Sequence, residues 1–284
     1  MGTTLRILAG FGVTLWSLYA GAVPITFSAA GVDPASIQAG VDSYRAALGT
    51  LNPNVIGSFG SGRREINWDG VPDAFSSPNN LPANFFNVNS PRGVVFSTPG
   101  TGFQVSADDS NPTSTPIEFG NINPAYPGFF ETFSAQRLFT SLGSNIVDVS
   151  FFIPGSTTPA FTTGFGAIFT DVDFANTSSL QFFDATNNSL GTFFVPHVAV
   201  TETLSFLGIL FNEGAVVSRV RITSGNQVLA GGNTTEDLVA LDDFIYGEPR
   251  IAQQVPEPVT LLLLAMGLFA LGAFRLRPTA PANR

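Results

Sequence analysis

From Asn145 onward the chain is a series of short apolar or alternating runs: Ile146–Ile153, Gly164–Asp173, Ser179–Asp184, Ser189–Val195, Thr203–Phe211, Val216–Thr223 and Val239–Gly247. Turn residues separate them, namely Pro154-Gly155, Asn176-Thr177, Asn187-Asn188, Asn212-Glu213-Gly214 and Gly225-Asn226. Closely spaced runs rich in β-branched and aromatic residues predict an antiparallel β-sandwich. In Val216–Thr223, Val217, Arg219, Arg221 and Thr223 alternate with Val216, Val220 and Ile222, the pattern of a sheet with one wet and one buried face. The 28 Phe residues fit two facing sheets, because each ring buries a large area between them. The chain has no Cys, so apolar burial has to supply the stability that disulfides would otherwise give.

Before these runs the pattern differs. Asp33 and Pro34 open a helix that Gly49 closes, with Asp33 as N-cap and Pro34 at the first helical position. Ile37, Val41, Tyr44 and Leu48 give it one apolar stripe, suited to cover a sheet edge or to lie across the sandwich. From Leu51 to Pro127, extended pieces at Arg64–Trp68, Gly93–Ser97 and Gly102–Ala107 alternate with turn signals such as Asp69-Gly70, Ser77-Pro78 and Ser90-Pro91. Proline at this density restricts the segment to edge strands and ordered loops. Residues 23–250 are read as one β-sandwich domain.

Composition removes whole classes of chemistry. Without Cys there are no thiolate nucleophiles, Fe–S clusters or Cys-ligated zinc, and a single His, His197, excludes a His-cluster metal centre. The chain has no Lys, and between Val23 and Gln254 eight Arg face twenty acids. Such an acidic body with no basic stripe is unsuited to nucleic acid, whose binding rests on phosphate neutralisation. No Gly-x-Ser-x-Gly elbow occurs, and a Ser-Lys dyad is impossible. Gly57–Arg64 is glycine-rich but lacks the Lys and the strand-then-helix setting of a phosphate loop, so it reads as a flexible turn.

The two ends read as transport signals. In residues 1–22, Arg6 precedes an apolar run from Ile7 to Ala20 and a small-residue site at Ala20-Gly21-Ala22, as in a secretory signal peptide cut by signal peptidase. At the other end, Val259 to Phe274 is apolar throughout, roughly 24 Å of helix at 1.5 Å per residue. Counted from Pro258 through Leu276 it reaches about 28 Å, close to a hydrocarbon core of about 30 Å. Arg275, Arg277 and Arg284 follow, which places the C-terminus on the cytoplasmic side. Residues 251–258 form a linker and residues 259–284 a transmembrane helix with an Arg-rich tail.

Val255-Pro256-Glu257-Pro258, then an apolar helix, then an Arg cluster, resembles the PEP-CTERM sorting signal of Gram-negative bacteria. The resemblance covers about 30 residues. It implies recognition of Pro256-Glu257-Pro258 by a membrane-embedded exosortase, temporary anchoring by the helix, and retention of the tail by Arg275 and Arg277. The two prolines hold Glu257 in extended backbone directly above the bilayer, where a processing enzyme can reach it. The segment GFGAIFTDVD, with Ser179–Asp184 and Leu241-Asp242-Asp243-Phe244, is loosely similar to ectodomains carried on such tails and to carbohydrate-binding jelly rolls. That likeness bears on fold alone, as a jelly-roll-like arrangement.

Two groups of side chains are candidates for binding. Glu65, Trp68 and Asp69 combine carboxylates with an aromatic platform, the pairing that saccharides use; the alternative is a Trp anchoring a loop beside an Asp-Gly turn. Calcium is the metal the composition permits, since it takes oxygen ligands only. Asp171 and Asp173, two apart on one strand face, together with Asp242 on the last strand, are the candidate ligands; Asp242 and Asp243 are expected on opposite faces. His197, after Val195-Pro196, is expected at a strand-to-loop corner with no catalytic role. The expectation is a non-enzymatic, exported cell-surface or matrix protein, first anchored by its tail and then processed. The alternative is a carbohydrate-binding module for polysaccharide, with or without calcium.

Overall fold

The computed structural model describes residues 24–212, 214–231, 236–251 and 266–268. The signal-like segment 1–22, the Pro-Glu-Pro motif and the Arg-rich tail lie outside the described residues, as does most of the apolar run before that tail. Among the described residues no helix is long and apolar enough to cross a membrane.

The body is mainly β, with all sheet pairings antiparallel. One sheet holds β1 (Pro24–Gly31), β10 (Leu204–Phe211), β7 (Gly164–Thr170), β12 (Ala240–Gly247), β5 (Phe139–Leu142) and β4 (Gly102–Val105), in that order, with β2 (Arg63–Ile66) paired to β12. The other runs β3 (Val94–Ser97), β6 (Ile146–Phe151), β11 (Arg219–Thr223), β8 (Ser179–Phe183) and β9 (Ser189–Phe194). Inward residues of both sheets join in one core: Phe103, Phe139, Phe165, Phe169, Ile209 and Phe244 from the first meet Phe96, Val149, Phe151, Leu180, Phe182 and Ile222 from the second. Phenylalanine fills the gap between the sheets, as its abundance implies.

The two sheets differ in how their outer faces are covered. In β6 and β11 burial alternates strictly, because the outer face of the five-stranded sheet meets water. Every residue of β7 and of β12 is buried. Their outer face carries α1 (Pro34–Leu48), whose Ile37, Val41, Tyr44 and Leu48 pack on Ile168, Leu204, Phe206 and Ile245. The loop cluster Phe119, Tyr126, Phe130, Leu138 and Leu238 gathers around Ala240, the first residue of β12. Asp33 caps α1 by accepting from the Ser36 N–H at 2.8 Å, as the sequence implies. Tyr44 crosses the sheet where Gly166 and Gly208 stand opposite each other; a Cβ on Gly208 would lie 2.9 Å from its ring.

The proline-rich segment supplies three strands, β2, β3 and β4, all at margins of the sheets, together with a four-residue helix over Phe85–Val88 and single 3₁₀ turns such as Trp68–Gly70. β1 and β5 were not evident as strands. The first directly follows the apolar N-terminal stretch, and the second spans only four residues. In Val216–Thr223 the strand begins at Arg219; Val217 is buried, bridging to Thr162 instead of joining the wet face.

Candidate functional site

Where β7 ends, its neighbours β10 and β12 begin, Leu204 and Ala240 both pairing with Thr170. Antiparallel pairing therefore brings the segments that flank these ends to one mouth of the sandwich. The strand expected to run through Asp173 stops at Thr170, because Asp171 turns into left-handed backbone with φ 68°. The Asp171 N–H donates to the Thr203 carbonyl at 2.9 Å and the Val198 N–H to the Val172 carbonyl at 2.9 Å. The Asp173 N–H donates to Asp237 Oδ1 at 2.8 Å, which seats the Asp237 carboxylate beside the Asp171–Asp173 corner. Asp171 is 4 % exposed, and Asp237 and Thr203 are completely buried.

This mouth is acidic, with no counter-charge among the described residues. Asp171, Asp173, Asp237, Glu202, Glu131 and Glu118 take part in none of the described ion pairs, which engage Arg45, Arg63, Arg64, Arg137, Arg219 and Arg221 elsewhere. Burial, and then the neighbouring Asp173 carboxylate, push the Asp171 carboxyl up to about 8; a hydrogen bond from the Glu202 backbone opposes this, and the Asp237 and Glu202 carboxylates add to it. Burial, and then Asp237, raise Asp173. Glu118 is pushed up to about 7 by burial, then by Glu131 and Glu202. Asp171 Oδ1, Asp173 Oδ1, Asp237 Oδ2 and Thr203 Oγ1 are all buried without a hydrogen-bond partner, and Ser205 Oγ, two residues along β10, shares that condition. No group of three acidic or imidazole side chains among the described residues already forms a metal-ligand set.

The third expected calcium ligand, Asp242, is not part of this mouth. The β7–β12 register shifts between Leu241 and Phe244, and this bulge turns Asp242 and Asp243 toward the same loop rather than to opposite faces. Asp242 Oδ2 accepts from the Phe133 and Ser134 N–H groups at 2.7 and 3.3 Å, and Ser134 Oγ lies 3.2 Å from Asp242 Oδ1 and 3.0 Å from Asp243 Oδ1. Burial, and then Asp243, raise Asp242 well above the usual carboxylate range. The pair clamps a loop. Its partners are backbone amides, the Ser134 hydroxyl and, 3.9 Å from Asp243 Oδ2, the Arg45 guanidinium, and they occupy the oxygens that an ion would need. Asp237, which stands in its place at the mouth, carries no strand-like spacing in the sequence; only the topology brings it there.

The saccharide-like trio does not converge. Trp68 is completely buried, stacked on Phe139 with ring centroids 4.3 Å apart and edge-on to Phe86 and Phe244, while its Nε1–H donates to the Asp242 carbonyl at 2.8 Å. It therefore offers no platform to a sugar. Glu65 is held by Arg45 and Arg63 at 2.9 and 2.6 Å, and Asp69 Oδ1 accepts from the Arg137 N–H at 2.8 Å. His197 is exposed beyond β9, with no hydrogen bond among the described residues to a hydroxyl or carboxylate.

The glycine-rich segment before Arg64 is fastened rather than free. The buried Arg64 guanidinium donates to both Glu248 oxygens at 2.6 and 2.9 Å and to the carbonyls of Pro53, Pro91 and Gly57. The Phe59 N–H also reaches Glu248 Oε1 at 3.2 Å.

No protein-family model matches the chain, and no curated protein matches it. Among solved structures, a glycoside hydrolase family 43 arabinoxylan arabinofuranohydrolase from Bacillus subtilis, in complex with cellotetraose, is similar over 41% of this chain and 23% of that one. The identity is 14% and the TM-score 0.25, a likeness too slight to carry an argument.

Proposed function

We propose that this is an exported, non-enzymatic surface or matrix protein, delivered by a PEP-CTERM-type signal and released from its anchor by an exosortase-type enzyme. The observation that carries the reading is the ordered series Val255-Pro256-Glu257-Pro258, apolar run and Arg275/Arg277, at the opposite end from a signal-like segment. In this reading residues 259–274 form the membrane-spanning helix, the chain is cut near Glu257, and the body is a jelly-roll-like sandwich outside the inner membrane. The position of the last strand supports it. β12 is a central strand of its sheet and ends at Gly247, so the linker starts from a firmly held point close to the motif. A structural role is also supported by how the polar groups are used, since Arg64–Glu248 and Asp242–Ser134 fasten loops to the sheet and Arg137 with Asp73 and Asp108 ties loops to one another. The carbohydrate-binding alternative loses its platform with the burial of Trp68.

The experiment is fractionation of cells that express the wild type beside Glu257→Ala and Arg275→Gln/Arg277→Gln variants. The reading expects wild type in the outer membrane or medium with its tail removed, and both variants held at the inner membrane with the tail intact. Variants released and trimmed like wild type would refute it.

A further inference from the structure

Residues 51–62 contain no charged side chain, in a body where twenty acids face eight arginines. This loop carries three exposed apolar side chains, Val55 at 47 %, Ile56 at 75 % and Phe59 at 38 % exposure, and Ile251, just beyond the last strand, is 65 % exposed. Hydrogen bonds bind the loop to the outgoing chain: the Phe59 N–H donates to Glu248 Oε1 at 3.2 Å, Ser58 Oγ to the Pro249 carbonyl, and Arg250 Nη1 to the Gly60 carbonyl at 2.7 Å. The Gly57 N–H donates to the Pro154 carbonyl at 2.9 Å. The carboxylate that the loop touches, Glu248, is buried and paired with Arg64. Apolar side chains scattered singly over a surface need no explanation, but gathered on one fastened loop they mark a contact surface.

Strand pairing puts both ends of the body at this pole. β12 finishes at Gly247, with Tyr246 opposite Phe165; β1 begins at Pro24, opposite Phe211, and Leu210 stands opposite Gly164. The apolar runs within residues 1–22 and 259–274 are therefore joined to the body on one side. Seven residues, 252–258, separate Ile251 from the second run. Fully extended they reach about 25 Å, at about 3.3–3.6 Å per residue. A body of about 230 residues has a radius of gyration of about 17 Å, hence a diameter of about 45 Å. The tether is shorter than the body is wide, so a chain anchored by residues 259–274 turns this pole to the bilayer.

We propose that Val55, Ile56, Phe59 and Ile251 form a membrane-resting surface that enters the interface of a phospholipid bilayer while the chain is anchored. The proposal rests on the reading of residues 259–274 as a membrane span. Apolar side chains at such an interface settle about 5–10 Å into the boundary between headgroups and acyl chains. An uncharged loop flanked by Arg63 and Arg250 meets lipid phosphates without the repulsion that the acidic remainder of the body brings. Seating the body this way keeps the linker, and with it Pro256-Glu257-Pro258, at the membrane surface.

The chain has no Cys, so one introduced thiol takes a fluorescent label at a unique place. The test uses the full chain reconstituted in phosphatidylcholine vesicles, with and without lipids spin-labelled near the top and at the middle of the acyl chain, and reads quenching of an environment-sensitive fluorophore. Val55→Cys and Ile56→Cys are the test positions. Thr201→Cys, exposed just before β10 at the opposite end of the sheet, is the control on the body, and Leu263→Cys reports on the span itself. Strong quenching is expected at positions 55, 56 and 263, and several-fold less at 201. Quenching at 263 with positions 55 and 56 quenched no more than 201 would overturn the proposal and leave the span standing. No quenching at 263 would refute the span and the proposal with it. A label at 56 that is blue-shifted yet unquenched would mean cover by a second copy of the chain, and would overturn the proposal as well. If one loop variant fails to fold, the other decides the matter.

Discussion

Trp68→Ala separates a buried anchor from a ligand platform. The indole is fully buried between Phe139, Phe86, Phe96 and Phe244. A tryptophan buries about 150–250 Å², and at about 25 cal/mol per Å² this alone is about 4–6 kcal/mol. Partial collapse of the cavity brings the expectation into the measured range for such truncations, about 3–5 kcal/mol. Trp68→Phe keeps an aromatic ring but leaves the Asp242 carbonyl without its donor, so about 1–3 kcal/mol is expected from that loss. The assay is urea unfolding followed by far-UV circular dichroism, comparing midpoints at constant m-value. The expected order is wild type above Trp68→Phe above Trp68→Ala. An Ala variant as stable as wild type, or one that loses only a saccharide-binding activity, would refute the reasoning.

Arg64→Met leaves the Glu248 carboxylate buried and unpaired, and should cost about 3–5 kcal/mol in urea unfolding; Arg64→Lys should also destabilise, since an ammonium cannot supply five donors in a planar fork. Tyr44→Phe removes the hydroxyl that donates to the Ile209 carbonyl and should cost about 1 kcal/mol, whereas Gly208→Ala drives a methyl into the Tyr44 ring and should cost about 1–3 kcal/mol. Glu118 and Asp243, pushed up to about 7 and about 6 in the folded state, hold protons that the unfolded chain releases at ordinary carboxylate values. Their stabilisation is complete below those ordinary values and is lost as pH rises through 6 and 7, so the urea midpoint in EGTA should be higher at pH 5 than at pH 7.5. A midpoint that climbs across that window would contradict the assignment.

Local chemistry was the most legible part of this chain. α1 could be read residue by residue, because its cap, its Pro and its apolar stripe all lie between Asp33 and Leu48 and need no partner to be recognised. The short strands after Asn145 were equally plain from their turn residues, while their ends were not. Nothing local marks Asp171 as the place where β7 turns, since a buried strand and the corner after it share the same apolar run. The candidate site was half legible for the same reason. Asp171 and Asp173 stand out by spacing, but Asp237 joins them only through the meeting of strands remote in sequence. Asp242 was placed wrongly because a bulge, which no pattern in Leu241–Phe244 announces, re-aims its side chain. Trp68 could be read as a core anchor or as a platform, since a buried and an exposed indole are spelled alike; the rings that the fold stacks around it make it the anchor.

The central claim is that both extremities serve export, and intact-mass analysis of the protein recovered outside the inner membrane tests it most directly. The account predicts a species lacking residues 1–22 and everything beyond about Glu257, whose mass matches the sandwich with its short linker. An unclipped chain of 284 residues recovered from the cytosol would contradict it.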